Sequence, residues 1–278
     1  MLNYRTTAEC INGDTIISGV DNFDLKQTLD CGQAFRWSEN SDGSWSGIAL
    51  GRNLKISHIE GKIILHDTDL AEYEEKWRSY FDIDRDYGEI IDSLKSDKIL
   101  KAAANENKGI RILKQDIWET LCSFIISQNN NIPRIKGIIS RLCENFGEPV
   151  SGGFAFPDFC RLAVLTPDDL AILRSGFRAR YIIDAARKIS EGTVDIENIK
   201  RMDNDAARNE LMKITGVGVK VADCTLLFAY SRLDVLPKDV WIKRALTEYF
   251  GGELPARALP YAGIAQQYIF NYIRENSK

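Results

Sequence analysis

The sequence predicts an α+β fold: an N-terminal antiparallel β-sheet domain followed by an all-helical body. Three observations predict it. Residues 14–66 carry short β-rich runs between turn clusters, and from about residue 68 the apolar spacing changes to three and four. No low-complexity linker or internal repeat interrupts the chain. With 278 residues, there is room for one large domain or two modest ones. We expect a sheet domain with flanking helices over residues 1–105 and a helical domain over 106–278, its last helix packing back near the N-terminal side.

The strands come first. "DTIISGV" (14–20) is β-branched, and "GQAFRW" (32–37) and "WSGIAL" (45–50) flank the turn cluster "SENSDGS". "LKISHI" (54–59) alternates, "EG" turns the chain and "KIILH" (62–66) returns, which predicts a hairpin. Helical spacing then runs through "LAEYEEKWRSYF" (70–81), "YGEIIDSLKSD" (87–97) and "QDIWETLCSFIISQ" (115–128). "NIPRIKGIISRLCENFG" (131–147) places Pro133 in a first turn and Gly147 at a C-terminal stop. "TPDDLAILR" (166–174), "ARYIIDAARKIS" (179–190), "DNDAARNELMKI" (203–214), "PKDVWIKRALTEYFGG" (237–252) and "YAGIAQQYIFNYIRE" (261–275) continue the series.

Composition narrows the class. No run reaches about 18 apolar residues, so no membrane-spanning helix is expected. "MLNYRTTAEC" has no basic segment leading an apolar one, so no secretory signal is expected. A cytoplasmic location, on the nucleoid in a bacterium, follows as the expectation. The six cysteines form no C-x-x-C pair, which argues against a zinc ribbon or a disulfide framework; none follows Cys224, where an iron–sulfur loop would need them. The net charge of −4 is unevenly spread. Residues 67–92 carry ten acids against three bases, whereas 134–188 carry nine bases against six acids and 211–244 six against three. The basic bias suits a local phosphate-facing surface or merely a solvated one.

Within the basic stretch lies "ITGVGVKVADC" (214–224). Gly216 and Gly218 flank Val217 between two apolar helical segments, and glycines let backbone N–H groups approach an oxyanion. The following helix points its positive end the same way, which makes a phosphate site. Lys220 lies in that helix's first turn. It is either an exposed phosphate-binding lysine or an amine kept neutral for nucleophilic attack. Asp239, after Pro237 and ahead of an apolar run, is a natural N-cap; its carboxylate could also accept a proton from Lys220 and stabilise a cationic sugar.

Together these residues resemble the helix-hairpin-helix (HhH-GPD) glycosylase superfamily, and within it the 8-oxoguanine DNA glycosylase/lyases. "CGQAFRW" (31–37), "SFIISQNNNIPRI" (123–135), "GFRARY" (176–181), "KVADC" (220–224) and "AQQYIF" (265–270) carry the resemblance with the hairpin, in the family's order. It runs from about residue 15 to the C-terminus.

The resemblance implies a twisted antiparallel sheet domain, helical subdomains, and a pocket for a base flipped out of the duplex. It implies base excision repair by a bifunctional enzyme that excises 8-oxoguanine and nicks the strand by Schiff-base β-elimination. Lys220 would be the nucleophile and Asp239 the second catalytic residue. The Gly32 carbonyl would accept the N7–H of 8-oxoguanine, a proton guanine lacks. Cys224 and Phe270 would sandwich the base and Gln266 read its Watson–Crick edge. Asn129, Arg134 and Arg178 would contact the orphaned cytosine, with Phe177 as the wedge; Gly216 and Gly218 would bring the hairpin onto DNA phosphates. Carbonyls of Met212, Ile214 and Val217 would hold a structural monovalent or divalent cation, with no cofactor required and no iron–sulfur cluster. The partner would be duplex DNA with 8-oxoguanine opposite cytosine, bound by a monomer.

Two positions depart from the family's pattern. Phe177 stands where a tyrosine is usual, and Trp241, two residues after Asp239, stands where histidine is frequent. Both bear on opposite-base stringency. Endonuclease III-like glycosylases share the lysine and aspartate but normally carry a four-cysteine cluster; alkylated-base glycosylases would lack the lysine. A non-catalytic DNA-binding protein using the hairpin as a phosphate grip is the reading from another class.

Overall fold

The computed structural model describes residues 6–276. The first residues of the N-terminal segment read above, 1–5, and the end of the expected second domain, 277–278, lie outside the described residues. Along the chain run β1 (Thr7–Ile11), β2 (Asp14–Ser18), α1 (Leu25–Leu29), β3 (Trp37–Glu39), β4 (Trp45–Ala49), β5 (Arg52–Ile59) and β6 (Lys62–Leu65). Next come α2 (Leu70–Glu72), a π-helical turn (Tyr73–Trp77), α3 (Arg78–Tyr80), α4 (Tyr87–Leu94), α5 (Lys98–Glu106), α6 (Ile117–Ser127) and α7 (Ile132–Phe146). A two-stranded ribbon, β7 (Pro149–Val150) with β8 (Gly153–Phe154), precedes α8 (Phe159–Ala163), α9 (Arg178–Ser190) and α10 (Asn204–Leu211). The remaining helices are α11 (Val219–Phe228), α12 (Val240–Phe250) and α13 (Ala262–Asn276).

Among the described residues six strands form one sheet, ordered β1-β2-β6-β5-β4-β3, with antiparallel pairing. The predicted β5–β6 hairpin is present, with Ile59 opposite Lys62. Three expectations need correction. "GQAFRW" is mostly a turn, because Gly32 takes φ +85°, and only Trp37 enters a strand. "TPDDLAILR" forms turns and one 3-10 turn (Ala171–Leu173), ended by Arg174 in the left-handed conformation at φ +52°. The helix over 70–81 is broken by the π turn.

The chain divides into two compact units. One contains the residues up to Gly47, Leu54–Lys114 and Ser231 onward; the other contains Ile48–Asn53 and Gln115–Tyr230. In the first, Trp37, Trp77, Tyr80 and Phe81 build an aromatic core, and the Trp37 indole N–H donates to the Tyr80 hydroxyl at 2.9 Å. Gly47 pairs with Trp37 across the strands, and a Cβ there would stand 2.5 Å from the indole, so only glycine fits. The buried Arg111 lies 4.5 Å above the Tyr87 ring and donates to the carbonyls of Asp21 and Asp82, both at 2.6 Å. α13 packs on α5 and α12.

In the second unit α11 packs on α6 and α10, and α9 on α8. Leu121, Ile125, Leu226 and Leu227 are fully buried. Each such side chain contributes about 1.5–3 kcal/mol by leaving water. Phe124 and Phe228 stack with centroids 5.3 Å apart.

Candidate functional site

The hairpin in the second unit is built as the glycines require. Gly216 takes φ +82°, and a Cβ on it would lie 2.3 Å from the Tyr181 ring, so glycine is needed for both conformation and space. Gly218 is different: it is extended (φ −101°, ψ 180°), and a Cβ on it would meet nothing within 4 Å. Its missing side chain leaves the hairpin's outer surface open. Gly218 is also the N-cap of α11 and provides no side-chain hydrogen bond, so the first amides of α11 stay uncapped by any side chain. α9 steadies the turn from below. Asp184 Oδ2 accepts from the Thr215 amide at 2.7 Å and pairs with Lys188 at 2.9 Å. Lys188 in turn donates to the Lys213 carbonyl at 2.7 Å. Despite its burial, these hydrogen bonds and the lysine hold the Asp184 carboxyl below the usual carboxylate range.

Lys220 is the second residue of α11 and half-buried, its Nζ 4.9 Å from the centre of the Phe124 ring. Cys224 follows one turn later on the same face and is buried. The buried Asp223 ties α11 to α10 through Arg208 Nε at 2.8 Å.

Residues expected at the opposite strand lie in this unit too. Arg134 is exposed in the first turn of α7, which Asn131 caps by accepting from the Arg134 amide at 3.0 Å. Phe177 is 42% exposed at the start of α9. Arg178 is not a surface arginine: it is 3% exposed, and its guanidinium donates to the carbonyls of Gln128 (3.0 Å), Asn129 (3.0 Å) and Ser175 (3.1 Å). Burial, then the nearby Arg134 charge, pulls Arg178 below its usual range. Asn129 sits in the left-handed conformation at φ +46°.

In the first unit, Asp239 caps α12, its Oδ1 accepting from the Ile242 amide at 2.8 Å. The second carboxylate oxygen remains for other work. Trp241, in the same first turn, is 51% exposed. The loop at Gly32 is clamped on both sides. Gln267 of α13 donates to the Cys31 carbonyl at 2.7 Å. The Gln33 side chain donates to the carbonyls of Thr28 and Arg111 at 2.8 Å each and accepts from the Leu113 amide at 3.0 Å. Burial pushes the Cys31 thiol up to about 11, so it is inert packing. Gln266, beside Gln267 on α13, is 6% exposed, and its Oε1 is buried without a hydrogen-bond partner among the described residues. Phe270 lies one turn on and is half-buried.

Each unit thus brings part of the expected set together. Lys220, Cys224 and the hairpin share one; Gly32, Gln266, Phe270 and Asp239 belong to the other. Sequence reasoning missed Phe124, Tyr181, Asp184, Gln33 and Gln267. The last two sit inside "CGQAFRW" and "AQQYIF", but only the fold reveals that they clamp one loop. Among the described residues no group of three or more His, Cys, Asp or Glu side chains could hold a metal ion. No helix among them is long and apolar enough to cross a membrane.

The helical body with its lysine-bearing hairpin matches a DNA base excision repair protein of the helix-hairpin-helix type. Residues 15–121 match the 8-oxoguanine DNA glycosylase N-terminal domain, and residues 122–256 match the HhH-GPD superfamily base excision DNA repair protein. An N-glycosylase/DNA lyase of Saccharomyces cerevisiae is 33% identical over 251 residues, covering 79% of this chain and 66% of that protein, just under two thirds of its length. The structure of MBOgg1 in complex with a low-affinity DNA ligand is 40% identical, with a TM-score of 0.93 over 98% of this chain and 99% of that one. A Clostridium acetobutylicum 8-oxoguanine glycosylase/lyase, bound to double-stranded DNA with cytosine opposite 8-oxoguanine, is 36% identical, with a TM-score of 0.91 over 98% and 99%. The chain belongs to the 8-oxoguanine DNA glycosylase/lyase family of the HhH-GPD superfamily.

Proposed function

We propose that this protein excises 8-oxoguanine lying opposite cytosine in duplex DNA and cleaves the resulting abasic strand by β-elimination. The observation that carries the reading is the unpartnered, buried Gln266 amide oxygen, on the helix that clamps the Gly32 loop through Gln267. A loop whose positive φ at Gly32 favours glycine is clamped by Gln267, and the adjacent Gln266 keeps a buried amide oxygen unpartnered. Such an orphan is costly unless a ligand meets it. A flipped purine supplies the missing donor, its N1–H or exocyclic amine to Gln266 Oε1 and, in 8-oxoguanine, N7–H to the Gly32 carbonyl. Guanine would set its bare N7 against that carbonyl, an unpaired arrangement of the kind that gives strong discrimination. By the same reading Phe270 and Cys224 would each stack on the flipped base.

The chemistry follows from the remaining residues. The Lys220 amine attacks C1′ as the bond to the base breaks, and the base departs with a proton. The Asp239 carboxylate, fixed at its helix cap, stabilises positive charge developing on the sugar. Opening of the sugar ring gives an imine between Lys220 and C1′. Loss of a C2′ proton then expels the 3′ phosphate, and hydrolysis frees the lysine. Gly216 and Gly218 present the hairpin amides to backbone phosphates, and Phe177 fills the gap left by the flipped nucleotide. Asn129 and Arg134 address the orphaned cytosine, and Arg178 acts on it by shaping the loop that carries Asn129.

A structural cation at the hairpin belongs to the same reading. Carbonyls of Met212, Ile214 and Val217 are hard donors suited to a monovalent or divalent ion. The neighbouring Lys213 carbonyl already accepts from Lys188, whose charge Asp184 balances at 2.9 Å. Such an ion would reinforce the grip on phosphate and take no part in bond breaking; no iron–sulfur cluster is involved. In domain terms the reading keeps a sheet domain over 1–105 and a glycosylase domain over 106–278, acting as a monomer on nucleoid DNA if the source is bacterial. Single-turnover excision on duplexes with 8-oxoguanine or guanine opposite cytosine tests the reading. It expects release of 8-oxoguanine only; equal release of both, or of neither, contradicts it.

A further inference from the structure

Arg134 and Phe177 also line a groove of about 530 Å³ that the roles above do not fill. Its walls include Arg174, Ser175 and Arg180, with one carboxylate, Asp168. Arg134, Arg174 and Arg180 are exposed, and none has an ion pair among the described residues. Arg180 extends beside the Tyr181 ring, 5.6 Å from its centre. Arg174 is held at φ +52°, a conformation that long side chains rarely adopt, in the turn that leads to Phe177. Ser175 is 1% exposed, and its hydroxyl has no hydrogen-bond partner among the described residues. Three guanidinium groups against one carboxylate attract a polyanion, and their planar forks match phosphate oxygens. A buried orphan hydroxyl at the same groove supplies a neutral donor.

We propose that this groove is a second phosphate grip, taking a backbone phosphate of the strand opposite the lesion. Arg174 and Arg180 are its cations and Ser175 Oγ a donor at its floor. The strand follows from the reading that Arg134 addresses its cytosine, on which this proposal rests. The hairpin grips one strand while this groove holds the other as Phe177 enters the stack.

The test is DNA affinity against salt, measured by anisotropy on lesion-bearing and lesion-free duplexes. Each phosphate contact contributes about 0.9 to the slope of log K against log salt. Arg174→Gln combined with Arg180→Gln should flatten the slope by about that amount on both duplexes and each single variant by less, while Arg174→Lys keeps it and Ser175→Ala weakens binding at unchanged slope. Neutral methylphosphonate linkages, placed one at a time, locate the phosphate. One linkage on the undamaged strand should weaken the native protein and leave the Arg174→Gln, Arg180→Gln double variant unaffected. Unchanged slopes in both glutamine variants, or coupling only to linkages on the lesion strand, overturn the proposal. A failure of the excision reading would appear separately, as a native protein that releases no base yet shows the same slopes and linkage coupling.

Discussion

Arg178 holds the backbone carbonyl of Asn129 at 3.0 Å, in a loop where Asn129 stands at φ +46°. The same guanidinium also serves Gln128 and Ser175, so most of its five N–H donors are occupied by the protein itself. Its influence on the opposite base therefore runs through the loop it shapes. Lysine cannot reproduce a fork across three carbonyls. Arg178→Lys should lose roughly 1.5–3 kcal/mol of stability, the scale of a buried charged hydrogen bond, and also flatten the preference for cytosine over adenine opposite the lesion. Asn129→Ala should flatten that preference without the stability loss, and adding it to Arg178→Lys should change the preference no further. Melting curves and single-turnover rates check this; a variant at position 178 that melts early but keeps its preference would separate Arg178 from base reading.

The two hairpin glycines make a matched pair. Gly216→Ala forces a left-handed backbone and a clash with Tyr181, so it should cost more than about 1 kcal/mol of stability. Gly218→Ala meets open space at an ordinary φ, so stability should hold while duplex affinity falls. Chemical denaturation and anisotropy distinguish them, and equal behaviour of both variants would contradict the division of roles.

Much of this was legible in the sequence because the signals are local. The hairpin at 214–224, the Asp239 cap and the β5–β6 turn are each written in a few adjacent residues. β1 was missed because its residues are mostly exposed and show no apolar face. α5 was missed although its cap, Asp97, is a normal one; its short apolar stripe is dominated by alanine. "GQAFRW" misled because its β-like composition is overruled by Gly32 and by clamps from residues as far away as Gln267. "TPDDLAILR" has helical spacing, but it turns on Thr166–Asp169 hydrogen bonds and stops at Arg174. For Arg178 the resemblance implied a contact to the orphaned cytosine, and no local signal shows that three backbone carbonyls surround its guanidinium.

Removing the Gln266 orphan tests its purpose. Gln266→Met deletes a buried unpartnered oxygen at similar volume, so stability should hold or rise by up to about 1–3 kcal/mol. Excision of 8-oxoguanine should slow markedly, with cleavage at a preformed abasic site nearly unchanged. A destabilised variant that cuts both substrates equally slowly would make Gln266 a packing residue.

Asp239→Asn keeps an oxygen able to cap Ile242 and removes the charge. The melting temperature should change little, and excision should slow by about 10² or more, the scale of losing one electrostatic stabiliser. An early-melting variant with a near-normal rate would leave Asp239 as a cap alone.

Covalent capture decides the central claim, that the Lys220 amine is the nucleophile. Borohydride added to the native protein with duplex carrying 8-oxoguanine opposite cytosine should reduce the imine and leave one protein–DNA adduct. Lys220→Gln should bind the same duplex through the intact hairpin, yet give neither adduct nor released base. An adduct of undiminished yield in that variant, or its absence in the native protein while base is released and the strand is cut, would remove Lys220 from the reaction.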